Sequence, residues 1–346
     1  MGRQTCSLAL EPVVFVSIGV ALFFAFWNGF TDAANAIATI VGTRVLKPIQ
    51  AVTLSAVGNF IGMFFGVAVA TTIARGIVPE SFLSSYFVMA AVLGGLAYDV
   101  ITYYFSLPVS ESHVLVGGLI GAGIAAGGLS APSYDSIVSK VLIPMVTSPL
   151  IAFVTAIFLS VVIIRVFLAF RTTPEHVNRY SSIFQIISSF FFSVTHGTND
   201  AQKTMGIITG ILLFHGLVSA GSRGELPVPF WVILAAHASI SLGTFLGGWR
   251  IVRTMGFRIT KLRPHQGFSA ESSAGLVLAG TALIGFPVST THAISGAVMG
   301  VGAFKRLSAV KWGVARRIVY AWILTIPMAA IFAYAAFSIM KILVGI

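Results

Sequence analysis

Two stretches of this chain share one pattern. Pro108-Val109-Ser110-Glu111-Ser112-His113 is echoed 179 positions later by Pro287-Val288-Ser289-Thr290-Thr291-His292. Proline suits the end of one helix and the start of the next, and Ser110 and Ser289 stand where N-cap residues belong. The first backbone N–H groups of such a helix have no intrahelical partner. Those of Glu111, Ser112 and His113, and of Thr290, Thr291 and His292, would face whatever lies in front. A helix N-terminus favours an anion by about 0.3–2 kcal/mol. Two such ends entering from opposite sides would meet around one multivalent anion. The hydroxyls of Ser110, Ser112, Ser289, Thr290 and Thr291 would add donors. The bland alternative is a pair of capped breaks satisfied by water or neighbouring helices.

Five acidic residues lie in or near apolar segments: Asp32, Asp99, Glu111, Asp200 and Glu271. A carboxylate at membrane depth costs several kcal/mol, so its default reading is functional. Asn28, Asp32 and Asn35 are spaced i, i+4 and i+7, which puts them on one helix face. An oxygen-rich face suits a hard cation such as Na⁺, and a carboxylate there could instead carry a proton. A plain helix–helix hydrogen bond is the alternative. Asn199 and Asp200 occupy the matching place in a second motif, where Lys203 stands three residues on and can neutralise Asp200. An ammonium there could fill the place of a bound cation, so the second half is expected to hold no full Na⁺ site. Glu111 and Glu271 are candidate acceptors for a proton or for the hydroxyl of a protonated oxyanion. Phosphate can donate such a hydrogen bond at neutral pH and sulfate cannot. A solvated carboxylate is the alternative for both. His113, His196 and His292 flank these motifs at spacings that make no metal site, and they read as packing histidines.

The rest of the chain must position these groups. It has 346 residues, 57% of them hydrophobic and 9% charged, with a mean hydropathy of +0.96. A soluble domain carries about 25% charged residues. This composition excludes disordered, nucleic-acid-binding and disulfide-framework classes and leaves an all-α polytopic membrane protein with room for about eight to ten spans. The lone Cys6 excludes an internal disulfide or a CxxC site. Val13–Phe26 resembles a signal-peptide core but runs on into polar residues, so it reads as a first span. Apolar segments follow one another at 13–41, 50–73, 85–105, 109–128, 137–170, 183–214, 230–249, 269–286, 288–303 and 312–343. Several are too short to cross alone, and 85–128 and 269–303 have the proline-bearing break of a re-entrant hairpin.

Fifteen of the 21 basic residues fall into four places: Arg44 and Lys47; Arg165, Arg171 and Arg179; Arg250 to Arg263; and Lys305 to Arg317. With these on the cytoplasmic side, both termini lie outside and the two hairpins dip from opposite faces. Trp249, Trp312 and Tyr180 then fall near the inner face, and Trp231, Tyr86 and Tyr134 near the outer. The net charge of +11 is this loop bias, not a nucleic-acid footprint.

Asn28-Gly29-Phe30-Thr31-Asp32-Ala33 is echoed by His196-Gly197-Thr198-Asn199-Asp200-Ala201, 168 positions on. Two motif pairs in the same order at similar offsets predict two inverted-topology repeats, 1–170 and 171–346, with the site at their interface. These motifs resemble those of the inorganic phosphate transporter family (PiT, or phosphate permeases), in its bacterial low-affinity form. That family's duplicated signature reads Gly-Ala-Asn-Asp-Val-Ala-Asn-Ala. Gly29-Phe30-Thr31-Asp32-Ala33-Ala34-Asn35-Ala36 has Thr31 for the first Asn. Gly197-Thr198-Asn199-Asp200-Ala201-Gln202-Lys203-Thr204 has Lys203 for the second. The resemblance spans nearly the whole chain, including Gly247-Gly248-Trp249-Arg250 and Lys261-Leu262-Arg263-Pro264.

The resemblance implies phosphate import, free or as a metal complex, by Na⁺ or H⁺ symport across the cell (inner) membrane. It places phosphate at Ser110, Glu111, Ser112, Ser289, Thr290 and Thr291, and cations near Asp32 and Asp200. No cofactor beyond the coupling ion and no metal beyond Na⁺ at Asp32/Asn35 is expected, and a homodimer is a candidate assembly. Transport of sulfate or another tetrahedral oxyanion, or an anion channel, is the alternative. A lipid-phosphatase motif of the form Lys-x₆-Arg-Pro would need Lys at 256, where Gly256 stands before Arg263-Pro264. No nucleophile–base pair at a convincing spacing appears, so no enzyme is expected.

Overall fold

The computed structural model describes residues 12–219 and 226–345; Cys6, Arg3, Arg223 and the N-terminal end of the chain lie outside them. All regular structure among the described residues is helical. The first half comprises α1 (Pro12–Gly42), α2 (Pro48–Ile61), α3 (Ala68–Gly76), α4 (Ser85–Tyr104), α5 (Glu111–Gly127), a short α6 (Tyr134–Ile137) and α7 (Ile143–Ala169). The second comprises α8 (Pro174–Phe214), α9 (Phe230–Leu246), α10 (Trp249–Arg253), α11 (Pro264–Leu283), α12 (Thr290–Lys305) and α13 (Trp312–Val344).

Four helical stretches are long and apolar enough to cross a membrane: Pro12–Gly42, Ser85–Tyr104, Tyr134–Ala169 and Trp312–Val344. Two bent pairs, Pro48–Phe64 with Ala68–Ala74 at 81° and Phe230–Leu246 with Trp249–Arg258 at 58°, bring the number to six. The eight to ten spans expected from length alone exceed this for a physical reason. α8, α11 and α12 carry the polar side chains of the interior, which lowers their hydropathy. α8 also starts at Pro174, nine residues before its apolar stretch, and its 41 residues extend roughly 60 Å. The basic run 250–263 is not a plain loop: Trp249–Arg253 is helical and Thr254–Arg258 forms a π-helical turn.

The packing partners of the two halves are exchanged. α5 lies on α13 while α12 lies on α7; α4 packs on α1 while α11 packs on α8; α9 packs on α1 while α2 packs on α8. Two apolar cores result. One holds Ala21 and Phe24 of α1, the buried faces of α4 and α5, and Met205 and Ile208 of α8. The other holds Ile37 and Ile40 of α1, Phe192 of α8, and the buried faces of α11 and α12. α1 and α8 thus traverse the two cores in opposite order. Their polar stretches, 28–35 and 196–204, are buried between the cores.

Close helix crossings at matched glycines hold this arrangement. A Cβ at Gly29 would overlap the carbonyl oxygen of Ile240 on α9, and one at Gly197 would overlap that of Asn59 on α2. Helix backbones cannot give way as a flexible side chain can. Gly29→Ala or Gly197→Ala should therefore destabilise the fold by about 1–3 kcal/mol or more, read as a lowered melting midpoint of the purified protein in detergent.

Candidate functional site

The starts of α5 and α12 are built alike. Ser110 Oγ accepts from the His113 N–H at 3.3 Å, and Ser289 Oγ accepts from the His292 N–H at 3.1 Å. Both serines are N-caps, as their place after proline predicts. The two starts also touch. Ser112 Oγ donates to the Val288 carbonyl at 2.9 Å, and the His113 and His292 rings lie 4.8 Å apart, edge to face. Trp322 of α13 holds the junction: its ring stacks on His292 at 3.7 Å, and its Nε1 donates to the Pro108 carbonyl at 3.1 Å. With the His113 and His292 N–H groups taken by the caps, those of Glu111, Ser112, Thr290 and Thr291 remain outside the helical ladder. All these residues are buried.

Polar side chains of α1 and α8 flank this junction. Thr290 and Thr291 donate to the two Asp32 oxygens, each at 3.2 Å. Asn35 Nδ2 donates to the same hydroxyls at 3.3 and 2.9 Å. The Asp32–Asn35 face of α1 therefore meets the hairpin of the other half. On α8, Lys203 Nζ donates to Asp200 Oδ1 at 2.5 Å, with both side chains fully buried. Asn28 and Asn199 have no protein partner for either side-chain polar atom, and Asp200 Oδ2 and the Glu111 Oε2 have no donor. Buried polar atoms of this kind call for a partner such as water or an ion.

His196 belongs to this set, which its sequence spacing does not reveal. Asn59 Nδ2 donates to Thr244 at 2.7 Å, so Asn59 Oδ1 faces His196 Nδ1 at 3.0 Å. That contact assigns the ring proton to Nδ1 and leaves Nε2 a lone pair, 3.5 Å from Asp200 Oδ2. One ligand atom each from Asp32, His196 and Asp200 lies within 4.8 Å of the others. Asp32 and Asp200, the two acids expected near cations, thus belong with His196 to one cluster that could hold a single cation.

The remaining acids are enclosed. Glu111 Oε1 accepts from Thr31 at 2.7 Å, so its side chain turns from the α5 tip toward α1. Asp99 accepts from Trp27 Nε1 and, at 3.2 Å, from Thr102. Glu271 accepts from Thr39 at 2.5 Å, Ser188 at 2.6 Å and Gln185 at 3.2 Å. The solvated alternative fails for Glu111 and Glu271, which are at most 1% exposed. Glu271, a candidate acceptor for a proton or a phosphate hydroxyl, already accepts protein donors at both oxygens. A cavity of about 930 Å³ lies between α7, α12 and α13, with mainly apolar walls that include His292 and Trp322 of the junction.

Residues 28–333 match the profile of the phosphate transporter family. The chain belongs to that family. Among proteins of the phosphate transporter family it is 46% identical to a probable low-affinity inorganic phosphate transporter of Rhizobium meliloti (strain 1021), over 92% of this chain and 94% of that one. A protein of the same name from Bacillus subtilis (strain 168) is 40% identical over 93% and 96% of the two chains. A solved structure described as the sodium-dependent phosphate transporter superposes with a TM-score of 0.80 at 25% identity, covering 95% of this chain and 99% of that one. As a member of the phosphate transporter family the chain is a multi-pass membrane protein and not an enzyme.

Within this family member, sequence reasoning missed Trp322, Asn59, Thr39, Gln185 and Ser188. None stands in a duplicated motif, and each is recognised only by what it touches. Thr31 appeared as a mere departure from the family signature and proves to be the hydrogen-bond partner of Glu111.

Proposed function

We propose that this chain imports inorganic phosphate, free or as a metal complex, by cation symport through alternating access. The observation that carries the reading is the contact of the α5 and α12 N-termini beside Asp32, which hydrogen-bonds both Thr290 and Thr291. Phosphate lies against Ser110, Glu111, Ser112, Ser289, Thr290 and Thr291, using backbone N–H groups and hydroxyls. Asn28, Asp32, Asn35, Asn199 and Asp200 serve the coupling cation. The opposite order in which α1 and α8 cross the two cores supports inverted repeats meeting at this place. The basic loops put both termini outside.

Cations are required by energetics. Moving a dianion into a cell at ~100 mV, inside negative, costs about 4.6 kcal/mol before any concentration gradient. Two monovalent cations cancel that cost, and a third makes transport electrogenic. Burial favours a carrier over a channel. Asp32, Glu111, Asp200 and Lys203 are each at most 4% exposed, so a substrate reaches them only if the elements move. The family match and the names of the relatives favour phosphate over sulfate. Labelled-phosphate uptake into proteoliposomes, with Na⁺ and pH gradients imposed separately, tests the reading. Uptake driven by either gradient supports it. Anion currents that need no cation would replace it with a channel.

Lys203 occupies the place that Asn35 has in the first half, and its ammonium lies on Asp200 where a cation would lie. The second half therefore has no full Na⁺ site of its own. Lys203→Asn should raise the Na⁺ dependence of uptake, measured by Na⁺ titration. An unchanged dependence would remove this role from Lys203.

A further inference from the structure

Asp99 and Glu111 stand apart from the acids already given a task. Their carboxyl groups are in hydrogen-bonding contact with each other, and each residue is 1% exposed. Every other partner is a neutral donor: Trp27 and Thr102 on Asp99, Thr31 on Glu111 Oε1. Glu111 Oε2 receives no donor from any of them. Among the described residues neither acid has a basic partner.

The charged and titratable groups around the pair are accounted for. Asp32 of α1 binds Thr290 and Thr291. Lys203 of α8 is engaged by Asp200. His113 of α5 faces His292. Arg250 of α10 lies over the rings of Tyr103 and Tyr104 of α4, at 5.9 and 5.3 Å, and donates to the Tyr104 carbonyl. Tyr98 of α4 hydrogen-bonds Thr325 of α13. Two carboxyl groups in contact, with no cation beside them, cannot both be ionised. A hydrogen bond between them needs a proton that no other neighbour supplies.

Position ties this pair to the junction of the α5 and α12 tips. Glu111 is the first residue of α5, Asp99 lies on α4, and Thr31 adjoins Asp32, which grips the other hairpin. A shift of the α5 tip against α1 would break the Thr31 bond and change the setting of the pair. The second half has no counterpart, because Thr290 and Leu278 stand at the matching positions.

We propose that Asp99 and Glu111 hold one proton between their carboxyl groups, and that the pair takes this proton from one side of the membrane and releases it to the other once per transport cycle. The proton comes from water and returns to water, and no other bond is made or broken. The inference rests on the transport reading above and adds the residues that carry a coupling proton.

Infrared spectra of the purified full-length protein at neutral pH test it directly. A protonated-carboxyl C=O band is expected that shifts on ¹³C labelling of Asp or of Glu and disappears in Asp99→Asn and in Glu111→Gln. A wild-type spectrum without that band, or with one insensitive to both Asp and Glu labelling, overturns the proposal even if a variant fails to fold. Transport in proteoliposomes gives the second arm. Asp99→Asn should keep phosphate–phosphate exchange while accumulation driven by a pH gradient falls by about an order of magnitude or more. Wild-type accumulation in Asp99→Asn would overturn the pair's role. Wild-type protein that exchanges no phosphate would instead overturn the transport reading.

Discussion

Asp32→Asn is expected to lower phosphate uptake by about two orders of magnitude or more while leaving folded protein in the membrane. The carboxylate accepts a hydroxyl from Thr290 and another from Thr291, each at 3.2 Å, in a site that water does not reach. Hydrogen bonds to a charged group contribute about 1.5–3 kcal/mol each. The amide keeps the shape but turns one acceptor into a donor facing a hydroxyl, and it removes the charge that would hold a cation. A loss of about 3 kcal/mol is already a factor of roughly a hundred. Labelled-phosphate uptake normalised to protein recovered by size exclusion measures it. Uptake within a few-fold of wild type would take Asp32 out of the coupling site.

The double variant Ser110→Ala, Ser289→Ala should abolish uptake. Each hydroxyl oxygen accepts the N–H of the histidine three residues on, which leaves its own proton free to donate. Removing a cap costs about 1 kcal/mol of helix stability, a modest part of what holds two tips also joined by Ser112, His113, His292 and Trp322. The fold should survive. The site, however, loses two donors from the positive ends of both helices. Near-normal uptake in a folded double variant would remove these hydroxyls from the site.

Much of the site was legible because it is built from local signals. A proline followed by a capping serine fixes a helix start wherever the chain goes, and both starts follow from it. Asn28, Asp32 and Asn35 share a face because helical spacing requires it. What stayed hidden depends on long-range packing. His196 and Asp32 are far apart in sequence and meet only because α1 and α8 cross between two cores. The side chain of Glu111 could have faced the anion, water or a neighbouring helix, and only the packing of α4 on α5 and the bond from Thr31 of α1 decide for the last. No local pattern announces Thr39, Gln185 and Ser188 around Glu271. The basic run 250–263 looked like a loop because its charges mask the short helix that follows the bend after α9.

The most direct measurement is an electron cryo-microscopy structure of the purified protein with phosphate bound. The account predicts phosphate density at the junction of α5 and α12, within hydrogen-bonding distance of the backbone N–H groups of Glu111 or Ser112 and of Thr290 or Thr291. Density elsewhere, or the Ser112 and Val288 turns standing far apart in every state resolved, would contradict it.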